Sequence, residues 1–228
     1  GVPPEFPQSI KKTIALVLVA AAGMYIMMLT LSTALSLRIA SVAPEGKEAA
    51  LGMAVSISAL LLLVAIPLGG ALSDRTTSRF GRRRPWIVAM LVPALLAMAV
   101  IGLTDSVPLI VAAYIIGITC AQVGFNAYAV IPVEGVPDNK RGLVMGFMGM
   151  FGALAMSAGS YLAASLVGMP LIMMTAPVAL ALLLSLPLLV LYKDPAKAKS
   201  DVPPLNIADL FKGLLVNPRK HPDFGWVW

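Results

Sequence analysis

Gly69-Gly70-Ala71-Leu72-Ser73-Asp74-Arg75-Thr76-Thr77-Ser78-Arg79-Phe80-Gly81-Arg82-Arg83-Arg84-Pro85-Trp86 is a short hydrophilic loop between two long apolar runs. It is too short to fold alone and too charged to enter a bilayer. Its five arginines therefore separate two membrane spans, and the bias of Lys and Arg toward the cytoplasm assigns this end of both spans to the inside. Gly70 is expected to let the span before the loop approach a neighbour closely. Asp74, at the end of that span, can accept from a guanidinium or from a helix N-terminus. Gly81 permits the sharp turn before the next helix, and Pro85 suits the first turn of that helix.

Composition agrees with a membrane reading. Of 228 residues, 59% are hydrophobic and 12% charged, with a mean hydropathy of +0.89, whereas soluble domains carry about 25% charged residues. The net charge of +6 does not point to nucleic acid, because the basic residues flank apolar runs and form no aromatic-interleaved patch. The single Cys120 excludes an internal disulfide and a CxxC metal site, and the single His221 has no ligating companion nearby. No cofactor is expected. The first apolar run is long enough to span, so it is no cleavable signal. The chain starts at Gly1, without Met, which reads as an altered or processed start.

Taken in order, residues 1–12 form a Pro-containing polar lead on the cytoplasmic side that ends in Lys11-Lys12. Six apolar runs follow, near 13–37, 49–72, 86–104, 107–132, 142–167 and 169–192. Each has about 20 residues or more, enough to cross roughly 30 Å of hydrocarbon as helix. Lys11, Lys12, the five loop arginines, Lys140, Arg141, Lys193, Lys197 and Lys199 fall on one side, and only Arg38 and Lys47 on the other. Both termini are therefore expected in the cytoplasm, as an even number of spans also requires. Residues 193–223 read as a cytoplasmic linker. Within it, 206–216 carries Ile207, Leu210, Phe211, Leu214 and Leu215 on one helical face, with Asn206 as N-cap. Such a helix either lies along the membrane surface or simply connects. Phe224-Gly225-Trp226-Val227-Trp228 reads as the entrance to a seventh span.

The order Gly, then Asp-Arg, then Gly-Arg-Arg resembles the signature loop between helices 2 and 3 of the major facilitator superfamily. Its longer spacing is closer to the sucrose-transporter and glycoside–pentoside–hexuronide branches. The loop Pro132-Val133-Glu134-Gly135-Val136-Pro137-Asp138-Asn139-Lys140-Arg141-Gly142 is similar to the family's loop between helices 4 and 5, although it carries one more residue, and Arg141 matches better than Glu134. The resemblance implies an all-α membrane protein of six transmembrane helices arranged as two inverted three-helix repeats, half of a major facilitator fold. A linker and a second six-helix half would follow, or a second copy would pair as a homodimer, with solute handled near the bilayer midplane. The implied cell-membrane protein is a half-transporter, or the N-terminal piece of a transporter.

The residues themselves narrow the chemistry. No charge lies deep in any run, so sodium or proton coupling through this half is not expected. Cation-coupled relatives carry acidic residues in helix 2, and that run is uncharged here. On the first run Tyr25, Ser32 and Ser36 share a face; on the fourth, Thr119, Gln122 and Asn126 do. Polar groups in hydrocarbon need partners, so these either bond another helix or line a wet cavity. The primary amides of Gln122 and Asn126 suit a neutral polyhydroxyl solute, and in the superfamily the first and fourth helices line the central cavity. Gly142, Gly146, Gly149, Ala153, Ser157, Ser160 and Ala164 form a small-residue stripe on the fifth run. Packing within the half is the expectation, a sliding surface the alternative. Asp74, Arg75, Glu134 and Arg141 are expected to form a charge cluster that stabilises one state of a gate, with Gly70, Arg79, Gly81, Arg82 and Arg83 as its further members. The competing functions are a non-transporting oligomeric module or channel subunit, which lacks a pore-lining segment here, and an intramembrane enzyme, which lacks convergent acids, bases or nucleophiles.

Overall fold

The computed structural model describes residues 9–78 and 80–192. The linker, its helix at 206–216, the aromatic run at 224–228, residues 1–8 of the lead and Arg79 lie outside the described residues. Within them the chain is helical: α1 Ile10–Val42, α2 Lys47–Arg75, α3 Arg84–Leu103, α4 Val107–Gly135, α5 Asp138–Ser165 and α6 Pro170–Leu191, with a single 3₁₀ turn, Pro44–Gly46. All six are long and apolar enough to cross a membrane.

Local chemistry sets the ends. Proline opens α3, α4 and α6 at their first positions, where its missing N–H leaves no bond unmade. Pro44 stops α1, and Gly81 takes a φ of 95° in the turn before α3. Prolines inside α2, α3, α4 and α6 are tolerated because neighbouring helices and local adjustments satisfy the freed carbonyls. The largest departure from the expected spans is α1. It continues past residue 37 to Val42, so Arg38 lies inside a helix rather than at its edge.

The packing follows a symmetry. Helix α1 packs on α5 and α6, α4 packs on α2 and α3, and α3 meets α6 and α1 meets α4. Exchanging α1 with α4, α2 with α5 and α3 with α6 maps this set of neighbours onto itself. Since successive spans alternate in direction, α1 and α4 run oppositely, and the two triplets are inverted repeats.

Glycines make the same point at atomic scale. A Cβ on Gly69 of α2 would come within 2.6 Å of Val123 on α4, and one on Gly159 of α5 within 2.4 Å of Thr30 on α1. Gly23 of α1 meets the Ala181 Cα on α6, and Gly124 of α4 meets Met90 and Leu91 on α3. Close backbone approach at small residues supplies the packing that apolar solvent cannot drive.

The burial pattern inverts that of a water-soluble helix. In α2 the buried residues are Ala50, Ala54, Ser58, Gly69 and Ser73, while Leu60 and Leu63 are 66% and 67% exposed. In α5, Val144, Met148, Ala155, Gly159 and Ala163 are buried. The expected packing role of its small stripe is not what the structure shows. Gly142, Gly146 and Gly149 have nothing within 4 Å of a Cβ, and Ala153, Ser157, Ser160 and Ala164 are exposed. The bundle buries the opposite face of α5 against α1 and leaves the stripe without a neighbour among the described residues.

Candidate functional site

Two sets of residues stand out, one at the arginine-rich end and one facing the open side of α1 and α4. At the arginine-rich end, Asp74 lies in the last turn of α2 and Glu134 in the last turn of α4. A carboxylate at a helix C-terminus is disfavoured by the helix dipole, so both need cations. Arg82 and Arg83, carried inward by the Gly81 turn, supply them. Arg82 donates to the Glu134 carboxylate at 2.5 Å and lies 3.9 Å from Asp74. Arg83 pairs closely with Asp74 and lies 3.4 Å from Glu134. Both guanidiniums are buried, whereas Asp74 and Glu134 side chains are 49% and 39% exposed. The four charges cancel and tie together α2, α4 and the start of α3.

This is not quite the expected cluster. Arg141 pairs with Asp138 one turn earlier at 2.8 Å and donates to the Val136 carbonyl. The Arg75 guanidinium donates to the Ala71 carbonyl one turn back at 3.2 Å. Arg82 and Arg83, expected among the cluster's members, are its cationic centre. Ser73 was missed altogether: its hydroxyl donates to the Arg82 carbonyl at 3.4 Å and accepts from Arg83 at 3.3 Å. The four-residue spacing Gly69…Ser73 was the available signal. Trp86 closes the turn by donating to Thr76 at 2.8 Å.

Gly70 also differs from its expected role. A Cβ there meets nothing within 4 Å, and the close approach to α4 belongs to Gly69. Gly69→Ala should therefore destabilise the bundle by about 1–2 kcal/mol through overpacking on Val123, while Gly70→Ala should stay within about 0.5 kcal/mol of the parent. Unfolding titrations in mixed micelles would reverse this ranking if Gly70 were the contact residue.

On the open side, Tyr25 meets Phe125 edge-on, with ring centroids 5.5 Å apart and planes at 81°. This brings the α1 and α4 faces together. Ser32 and Thr119 turn their hydroxyls back on their own helices, to the Leu29 and Ile115 carbonyls. The Asn126 amide nitrogen donates to the Gln122 carbonyl at 2.8 Å. None of Tyr25, Ser32, Ser36, Thr119, Gln122 and Asn126 has a hydrogen bond to another helix among the described residues, and none is fully buried. By contrast, the fully buried Tyr128 does bond across, donating to the Val17 carbonyl at 2.9 Å. Asn126 also lines a cavity of about 120 Å³ with Gly69, Gly70, Ser73, Arg83 and Val123. The α4 polar face thus runs into the charge cluster.

At the opposite end of the bundle the buried Arg38 clamps α1 to the α3–α4 connection. It donates to the Ile101 and Thr104 carbonyls at 3.2 and 2.8 Å and pairs with Asp105 at 2.6 Å. The order of Arg38 after one apolar run and Asp105 between two others was a signal that pattern reading did not connect.

Comparison with known proteins adds to this geometry. The sequence model of the Major Facilitator Superfamily matches residues 13–227. Over 45 residues the chain is 51% identical to Proton-associated sugar transporter A of Homo sapiens, and equally to its Mus musculus and Rattus norvegicus counterparts. That stretch covers 20% of this chain and 6% of each relative. No solved structure gives a significant match.

Proposed function

The chain belongs to the major facilitator superfamily, a family of membrane transporters, and from that premise we propose that it is the solute-recognising half of a secondary or facilitative transporter for a small neutral polyhydroxyl compound, a sugar. The observation that carries this reading is the row of partly exposed polar side chains on α1 and α4 without a bond to a neighbouring helix. In hydrocarbon such groups require water or a solute. Amides and hydroxyls without charge match a neutral ligand rich in donors and acceptors. The sugar transporter named among the relatives supports the same solute class.

The six helices rock against a second six-helix unit, supplied in the same polypeptide or by a second copy. The exposed small-residue stripe of α5 supports this: it presents a smooth face to a moving neighbour. The charge cluster of Asp74, Arg82, Arg83 and Glu134 holds one of the two states on the cytoplasmic side, both termini lying on that side of the cell membrane. No carboxylate is buried among the described residues, so this unit is assigned solute recognition rather than ion coupling.

Thermal unfolding of the detergent-solubilised protein with a panel of sugars and a panel of hydrophobic drugs tests the reading. One sugar class should raise the melting temperature of the parent. Asn126→Leu should remove that rise, weakening binding by about tenfold, because one or two hydrogen bonds of roughly 1 kcal/mol each are lost. A drug-only response, or an unchanged sugar response in the variant, would exclude this solute site.

A further inference from the structure

The start of α3 and the end of α6 enclose a shallow groove lined by Phe80, Arg84, Pro85, Val88 and Leu189. Its volume, about 220 Å³, lies below the ~300–1,000 Å³ of sites that enclose a whole drug-sized ligand. It suits part of a long molecule. Four of the five lining side chains are apolar. The fifth, Arg84, differs from its neighbours Arg82 and Arg83. Among the described residues it has no carboxylate within 4 Å. One terminal nitrogen donates to the Tyr192 carbonyl at 3.0 Å, and its Nε is buried without a partner. A guanidinium offers five donors, so this one is largely unused and, among the described residues, its charge is uncompensated.

The order of these groups along the membrane normal is informative. Arg84 is the first residue of α3, where a span meets the headgroups. Val88 lies one turn deeper and is 41% exposed, and Val92, a further turn on, is 42% exposed. Cation at the rim and apolar wall beneath reproduce, in complement, the order of phosphate and acyl chain in a phospholipid. Basic pockets between transmembrane helices hold anionic headgroups for this reason. The N-terminus of α3 adds partial positive charge at the same level.

We propose that this groove is a binding site for an anionic phospholipid, its phosphate on Arg84 and a segment of one acyl chain against Pro85, Val88 and Leu189. The lipid pins the outer surfaces of α3 and α6 beside the charge cluster without entering the solute path.

The full chain in neutral detergent, monitored by native mass spectrometry, tests this with four probes: phosphatidylglycerol, phosphatidylcholine of the same acyl chains, glycerol 3-phosphate and inorganic phosphate. Phosphatidylglycerol should bind about fivefold more tightly than phosphatidylcholine, the discrimination expected of one cation at the membrane surface. Arg84→Gln should abolish that preference, and Lys12→Gln, a cation elsewhere at the same end, should preserve it. Val88→Trp, which fills the groove and keeps the charge, should weaken phosphatidylglycerol and provides the test if Arg84→Gln fails to fold. Equal binding of the two lipids, a preference that survives Arg84→Gln, or full affinity in Val88→Trp would each overturn the site. Displacement of phosphatidylglycerol by either soluble phosphate at equal concentration would replace the lipid with a free anion and overturn it equally.

Discussion

Replacing Gly102 by alanine should destabilise the bundle by about 3 kcal/mol, at the upper end of what overpacking costs. The added Cβ would lie 2.4 Å from the Cα of Leu171, 2.9 Å from its nitrogen and 3.1 Å from the Pro170 carbonyl. All three are backbone atoms in the first turn of α6, so no rotamer change relieves the clash. The helices themselves must part, and α3 against α6 is, with α1 against α4, one of the two contacts that the exchange of triplets maps onto itself. Gly117→Ala is the control. Its Cβ would approach the Met98 Cε at 2.5 Å and the Ala97 Cβ at 3.0 Å. The methionine end can swing aside, and a loss of about 1 kcal/mol is expected. Denaturant titration in mixed micelles gives both values, and similar losses for the two variants would show that α3 and α6 are not locked at Gly102.

Glu134→Gln should cost about 2 kcal/mol and, on the proposed gating role, raise the accessibility of the arginine-rich end. Glu134 bridges Arg82 and Arg83, both buried. Removing one partner of a fully buried pair costs about 3–5 kcal/mol because a charge is left uncompensated. The value is lower here because the carboxylate is 39% exposed and water screens part of the interaction. Arg141→Gln is the contrasting case. It breaks a pair whose side chains are 38% and 90% exposed, and a change of about 0–1 kcal/mol is expected. Stability measured beside accessibility labelling of a cysteine placed at Ser78 separates the two effects. If Glu134→Gln behaved like Arg141→Gln in both, the cluster would be a solvated surface network and no gate.

Much of the molecule was legible in the residues. The hydropathy runs located the helices, Pro85 marked the start of α3, and the loop from Gly69 to Trp86 pointed to the family that the matched residues 13–227 show. The contacts were much less legible. Helical spacing shows which residues share a face but not which face meets a neighbour. In a soluble protein the apolar face answers that question. In a bilayer both core and surroundings are apolar, so Leu60 faces outward while Ala54 is buried, and hydropathy carries no contrast.

The same limitation explains the particular departures. Gly69 and Gly70 are equivalent by type, and only the rotation of α2 against Val123 distinguishes them. The α5 stripe has the spacing of a packing face, yet α1 takes the other side. Arg82 and Arg83 displaced Arg141 from the charge cluster because the positive φ of Gly81 folds them back between the ends of α2 and α4, a long-range outcome of a single torsion angle. The buried Arg38 gained its partners at Ile101, Thr104 and Asp105 across more than sixty residues of chain.

Six spans, a one-sided distribution of positive charge and the polar faces of α1 and α4 follow from the residues alone, because transfer into hydrocarbon acts on each segment independently of its neighbours. Tertiary structure decided which small residues touch, which arginines are paired and which faces stay open. Those outcomes depend on how six rods of nearly uniform hydropathy rotate against one another, and short-range contacts between backbones and charges, not partition into lipid, set that rotation.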